Sequence, residues 1–234
     1  MISLRSFFRF ALVALVGPAM ATAATPAAAR GGVDASPSLK TPASASAPLG
    51  PDGFLSRWLL LEPIPGDGRV TDGAVQAAAK KDYFPDQNSV LPRAGDPVTV
   101  NGATLAWHAI DSSRHNVNLY HFAYFLGKPT SNVVFWGVTV VESPEEISGV
   151  RLAVGSNAGS VWWVNGQEAV SLYGDRQTSI DDGVSRKITL KRGPNVVRFL
   201  VVQNGGMTDC CARFLDANDQ PLTRLTQTLT AASR

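Results

Sequence analysis

Serine hydrolysis needs an exposed nucleophile on a sharp strand-to-helix turn, written G-x-S-x-G, with a histidine and a carboxylate brought to it. Here Gly155-Ser156-Asn157-Ala158-Gly159 does not fit that pattern and lies between two strand-like runs, while His108, His115 and His121 all precede it. Glycoside hydrolysis needs two facing carboxylates. Glu145-Glu146 follows Pro144 in a turn and Asp181-Asp182 sits in a loop before Val184, ordinary settings for solvated acids. The histidines make a poor metal set, since only His115 and His121 share strand parity and Asp111 is the one acid beside them. What the chain offers instead is aromatic surface. Trp162 and Trp163 are adjacent on one strand-like run, so their side chains point to opposite faces of a sheet and only one of them can be core there. An outward indole packs against the C–H face of a sugar ring while amide, hydroxyl and guanidinium groups fix its hydroxyls.

The elements that must position these indoles are strands. Val161 to Val170 carries two apolar runs that meet at Asn165-Gly166, and both residues tolerate the positive φ of a type I′ hairpin turn. Val150, Leu152 and Val154 alternate with Arg151 and Ala153 in the period of a half-buried strand. Ile188 and Leu190 lead through Lys191-Arg192-Gly193-Pro194 into Asn195 to Val202, which reads as a second hairpin, and Cys210 to Leu215 reads as a closing strand. Upstream, Phe54 to Pro65 is the expected first strand, followed by a short helix over Gly73 to Lys81 capped by Thr71-Asp72. An irregular excursion from Asp82 to Pro97 comes next, then strands over Thr104 to Ile110, Val117 to Phe125 and Asn132 to Val141.

The segments Gly155 to Val170, Lys191 to Gly206 and Ala212 to Leu222 together resemble the C-terminal half of the galactose-binding-domain-like β-sandwiches, jelly-roll accessory modules of secreted bacterial carbohydrate-active proteins. The opening Trp58-Leu59-Leu60-Leu61-Glu62-Pro63-Ile64-Pro65 is similar to that family's first strand. Two positions depart from its pattern: Asn157-Ala158 replaces the usual acidic pair, and Asp219-Gln220 stands where a glycine is common. The resemblance implies an all-β fold, an antiparallel two-sheet β-sandwich (jelly roll) with one short helix and the long excursion. It places Trp163 in the core and turns Trp162 outward, making Trp162, Asn165, Tyr173 and Arg176 a saccharide platform. The competing reading, in keeping with the burial of most large aromatics, has Trp162 covered by the Asp82 to Pro97 excursion. A structural calcium is a weak expectation of the resemblance, since the sequence carries no acidic calcium loop.

Residues 1–23 pair Arg5 and Arg9 with an apolar run and the small residues Ala21-Thr22-Ala23, the pattern of a cleaved secretory leader. Gly17-Pro18 interrupts that run, which falls short of the ~20 residues of a membrane span. The chain has 21 basic and 19 acidic residues, and without Arg5 and Arg9 the signs balance at 19 each, so neither nucleic acid nor an anionic membrane is an expected partner. Residues 24–53 are rich in Ala, Pro and Ser and read as a disordered tether, 54–226 as the sandwich and 227–234 as a tail. Cys210, in phase with Ala212 and Phe214, reads as core, and Cys211, in phase with Arg213, as more exposed. A bridge between the two is disfavoured because adjacent Cα atoms are only ~3.8 Å apart.

These readings converge on an exported, periplasmic or extracellular, non-catalytic module whose partner is a neutral carbohydrate or a carbohydrate-active enzyme. A cell-envelope protein-interaction module is the alternative, and an esterase or glycosidase with an unrecognised site is the third.

Overall fold

The computed structural model describes residues 30–66 and 69–229. The leader, residues 24–29 of the expected tether and residues 230–234 of the tail lie outside the described residues. After a single 3-10 turn at Val33–Ala35, the chain forms β1 (Leu39–Lys40), β2 (Ser46–Pro48), β3 (Arg57–Pro65), α1 (Asp72–Lys80), β4 (Pro97–Val100), β5 (Ala103–Ser112), β6 (Val117–Asn118) and α2 (Leu119–Phe125). It continues through β7 (Val133–Ser143), β8 (Ile147–Ser156), β9 (Gly159–Val164), β10 (Gln167–Leu172), β11 (Gly183–Val184), β12 (Ile188–Leu190), β13 (Gly193–Gln203), β14 (Asp209–Leu215) and β15 (Thr226–Thr228).

The strands form two antiparallel sheets. The larger runs β1-β5-β3-β7-β13-β9-β10, with β4 on β5 and with β15 wedged between β7 and β2. The smaller runs β11-β8-β14-β6, with β12 also on β8. The principal core lies between them: Trp58, Phe135, Trp162 and Phe199 of the larger sheet meet Leu152, Val154 and Phe214 of the smaller. This is the expected two-layer, all-β sandwich. A second apolar cluster covers the outer face of the larger sheet, where Trp107, Trp136 and Leu200 pack under Val75 of α1 and under Tyr83 and Phe84. Large strand side chains on both faces explain why β7 is apolar almost throughout rather than alternating.

Local chemistry accounts for several elements. Asn165 and Gly166 take φ values of 51° and 80°, and the β9–β10 hairpin closes on them with Gln167 opposite Val164. Thr71 caps α1, its Oγ1 accepting the Ala74 amide at 3.4 Å.

Four expectations are corrected. First, Lys191 to Pro194 does not join a hairpin, because β12 pairs with β8 in the smaller sheet and β13 with β7 and β9 in the larger. The Asn195 side chain accepts from Lys191 N at 2.9 Å and donates to Lys191 O at 2.8 Å and Gly193 O at 3.0 Å, and this bend carries the chain across the core. Second, Val117 to Phe125 is strand only to Asn118. Asn118 Oδ1 accepts the His121 amide at 2.7 Å and starts a second helix, whose Leu119, Phe122 and Ala123 are buried at helical spacing. Third, residues 30–53 are not a free tether: Leu39 is fully buried with β1 on β5, and β2 pairs with β15. Backbone pairing, together with Asp34 accepting from Thr41 N at 2.6 Å and Thr41 Oγ1 at 2.9 Å, holds a stretch that has few large side chains. Phe54 to Pro65 is accordingly the third strand, not the first. Fourth, Gln227 belongs to the fold rather than to a tail, its buried amide accepting from Ser56 N at 2.9 Å and donating to Arg57 O at 2.8 Å.

Candidate functional site

The expected platform does not assemble. Trp162 is 0% exposed and lies between the sheets, edge-on to Trp58 at 6.0 Å and against Phe199 at 4.9 Å, with its indole N–H donated to Ser160 Oγ at 2.9 Å. The parity is the reverse of that expected, because the Asn165-Gly166 turn and the pairing of Trp162 with Phe199 of β13 turn Trp162 inward. Trp163 is the outward indole, half-buried and stacked on Trp136 at 5.7 Å. The Asp82 to Pro97 excursion covers Trp107 and Trp136 instead, through Phe84 at 6.2 and 5.9 Å. Asn165 is committed to its turn, accepting from Val196 N at 3.0 Å and donating to Asn195 Oδ1 at 2.9 Å. Tyr173 packs along the outer face of the larger sheet.

Arg176 leads elsewhere. Its Nη1 donates to the Tyr173 carbonyl at 3.2 Å and its Nε to Asp182 Oδ2 at 3.0 Å, so the guanidinium is held in a fixed plane. It lines an open hollow of about 370 Å³ with Asn157, Asp175, Gln177 and the Gly205–Met207 turn. Three connections converge there: the β8–β9 turn, the loop from Tyr173 to Asp182, and the β13–β14 loop. Ala158 N donates to Arg176 O at 3.0 Å and Asn157 N to Asp209 O at 2.9 Å, while Gln203 Nε2 donates to Gly205 O at 2.7 Å. Asp209 braces the group further, its carboxylate accepting from Thr178 Oγ1 and from Asn116 Nδ2. The rim is apolar at Met207, which is 54% exposed. Tyr120, whose amide donates to Thr208 O at 3.0 Å, stands on α2 beside that turn. It stacks on Tyr124 at 5.8 Å with ring planes 17° apart, and both rings are half-exposed. Sequence reasoning missed this pair because it took the segment as a strand; the signal available was Asn118 ahead of a Leu119, Phe122, Ala123 pattern.

The other candidate chemistries are dispersed. Ser156 Oγ is buried, donating to Ala158 O at 2.9 Å with Ser160 Oγ 2.8 Å away, which leaves it inaccessible as a nucleophile. His108 lies 3.3 Å from Glu62, which also pairs with Lys128 at 2.8 Å, whereas His115 packs on Phe54 and His121 on Phe125. Among the described residues no group of three or more His, Cys, Asp or Glu side chains is arranged to hold a metal. Asp181 pairs with Arg213, which raises the Arg213 pKa. Cys211 is buried like Cys210, contrary to the exposure expected of it, because the loop over Ser179 covers that face of the smaller sheet. Both thiols are free, and burial pushes the Cys211 pKa up to about 12. No described helix is long and apolar enough to cross a membrane.

The sequence matches no family model and no curated protein. Among solved structures, the chain is similar to a PA14 sugar-binding domain from an RTX adhesin, with 13% identity over 71% of this chain and 94% of that one and a TM-score of 0.42. It is similar at 11% identity to the PA14 domain of an antifreeze protein, over 73% of this chain and 89% of that one, with a TM-score of 0.41. A third likeness, at 14% identity and a TM-score of 0.38, is to a β-glucosidase from Kluyveromyces marxianus in complex with glucose, over 76% of this chain and 19% of that one. Likenesses this distant leave both ligand and activity to be argued from the chain itself.

Proposed function

We propose that this chain is an exported, non-catalytic module that binds neutral carbohydrate at the loop end of the sandwich and works beside a carbohydrate-active enzyme. The observation that supports the reading best is the hollow around Arg176. Amide, carboxylate and guanidinium groups of Asn157, Asp175, Gln177 and Arg176 stand together on braced backbone, beside an apolar rim at Met207. Such a set exchanges hydrogen bonds with sugar hydroxyls while the rim meets the C–H face of the ring. The nearest aromatic surface is Tyr120, which stands beside the β13–β14 turn and is backed by Tyr124, itself covered by the Arg30 guanidinium at 4.2 Å from its ring centre. The leader pattern of residues 1–23 supports export.

The mature chain should be retained by at least one neutral polysaccharide or arrayed glycan, and Arg176→Ala with Asp175→Ala should weaken that retention about tenfold or more. Retention on none of them would end the proposal. A second reading, docking to a protein of the cell envelope, is favoured by an open apolar hollow of about 400 Å³ lined by Pro42, Ala43, Leu59, Ala109 and Leu229. It predicts that carbohydrate is ignored and that Leu59→Asp or Ala109→Asp, rather than Arg176→Ala, abolishes partner capture.

A further inference from the structure

The outer face of the larger sheet holds polar groups that the fold leaves unanswered. The indole N–H groups of Trp107 and Trp136 and the Nε of Arg198 are all buried without a hydrogen-bond partner. Buried donors are almost always paired, so three orphans on one face call for an acceptor. They lie on one face of four adjoining strands, β5-β3-β7-β13. Leu61 of β3 pairs with both Trp107 and Trp136, and two positions along β7 Val138 pairs with Arg198, which pairs in turn with Trp163. Arg198 is 4% exposed, and burial alone draws its pKa down to about 10, with no carboxylate opposing that pull. A buried cation without a counter-ion is costly, and folds keep such groups where something else uses them.

The cover over this face is the irregular strap from Asp82 to Asp96. Its turns are bonded largely to themselves: Tyr83 N to Gln87 Oε1 at 2.8 Å, Val90 N to Asp86 O at 2.7 Å and Arg93 N to Asp96 Oδ2 at 2.7 Å. Its middle is tied to the sheet by Arg198 Nη2 donating to the Val90 carbonyl at 2.6 Å, a neutral acceptor for a full positive charge. None of the strap's own carboxylates, Asp82, Asp86 or Asp96, reaches Arg198. Beside the strap, Trp163 is half-buried and stacked on Trp136, a flat apolar surface next to the guanidinium.

We propose that this face is a second binding site, for a carboxylate-bearing sugar of the uronic acid class, and that the ligand displaces the middle of the strap and takes over its bond to Arg198. The carboxylate supplies the missing counter-ion, the two indole N–H groups donate to it or to ring hydroxyls, and Trp163 receives the C–H face of the pyranose. The site is separate from the loop-end hollow and does not depend on the neutral-carbohydrate reading.

The test is a titration of the mature chain with trigalacturonate, galactotriose and tri-alanine, followed by tryptophan emission and calorimetry. Trigalacturonate should bind and shift the emission. Arg198→Met should lower that affinity at least about tenfold while melting at the same temperature or higher, and Arg198→Lys should restore part of it. Phe84→Ala, which frees the strap from Trp107 and Trp136, should tighten binding. An emission unmoved by trigalacturonate, or equal affinity in wild type and Arg198→Met, overturns the proposal, and tri-alanine binding as tightly as trigalacturonate overturns its sugar class. Arg176→Ala reads the loop-end site separately, since it should leave trigalacturonate binding intact.

Discussion

Cys210 and Cys211 stand next to each other on β14 and point to opposite faces of the smaller sheet, yet both are buried. Burial raises both pKa values, Cys211 to about 12 from an ordinary 9.0. A folded pKa above the unfolded one means that the folded chain holds its proton longer. The associated stability is fully present below about pH 9 and is lost as pH climbs toward about 12. Urea midpoints should therefore fall between about pH 8 and about pH 10, and Cys210→Ala/Cys211→Ala should flatten that fall; an equal fall in both proteins would refute it. Stopping near pH 10 matters, because Arg198, with its pKa drawn down to about 10, acts in the opposite sense above that point. Residue types announced part of this. Alternation on a strand put Cys210 in the core, but the exposure of Cys211 depended on a loop thirty residues away in sequence, and the orientation of the Trp162-Trp163 pair depended on register with β13. Neither is a local property.

Among the elements, the loop from Tyr173 to Asp182 does the most for the proposed site, since it carries Arg176 and roofs Cys211. It rests on Gly155 so closely that a Cβ added there would lie 1.9 Å from the Ser179 carbonyl. Backbone cannot yield that distance without moving, so Gly155→Ala should lift the loop. Cys211, buried in the native protein, should then react faster with a thiol reagent, and carbohydrate retention should drop with it. Unchanged thiol reactivity would mean that the loop is not what shields the sulfur. The Asn165-Gly166 hairpin was legible because positive φ at two successive residues is a demand met within the turn itself. The bend at Lys191 to Pro194 was not, because two β-prone flanks look alike whether they pair with each other or with strands in different sheets. The segment from Val117 misled for a related reason: its β-propensity is real, but one capping bond from Asn118 outweighs it.

At the scale of the whole molecule, the sandwich and its central strands could be read from apolar patterning, while the fold's outer limits could not. Small residues between Arg30 and Gly53 lack the hydrophobic signal that marks a strand, and their place in the larger sheet rests on backbone pairing and on Leu39. A chain starting at Phe54 should lose at least about 2 kcal/mol of stability, the worth of one buried leucine, and more for the exposed edge it leaves. Equal denaturation midpoints for the truncated chain and one that keeps residues 30–53 would restore the tether reading.

β15 bonds to β7 on one side and to β2 on the other, so the last described strand joins one near the start of the described chain to the central strand β7. It is also synthesised after every other strand of that sheet. The flank of β7 facing it must wait, open to water, until Thr226 to Thr228 emerge, and β2 has nothing to hold it before then. The larger sheet is thus completed by a pairing between segments far apart in sequence, and contacts of that kind form late because the long loop between them must close first.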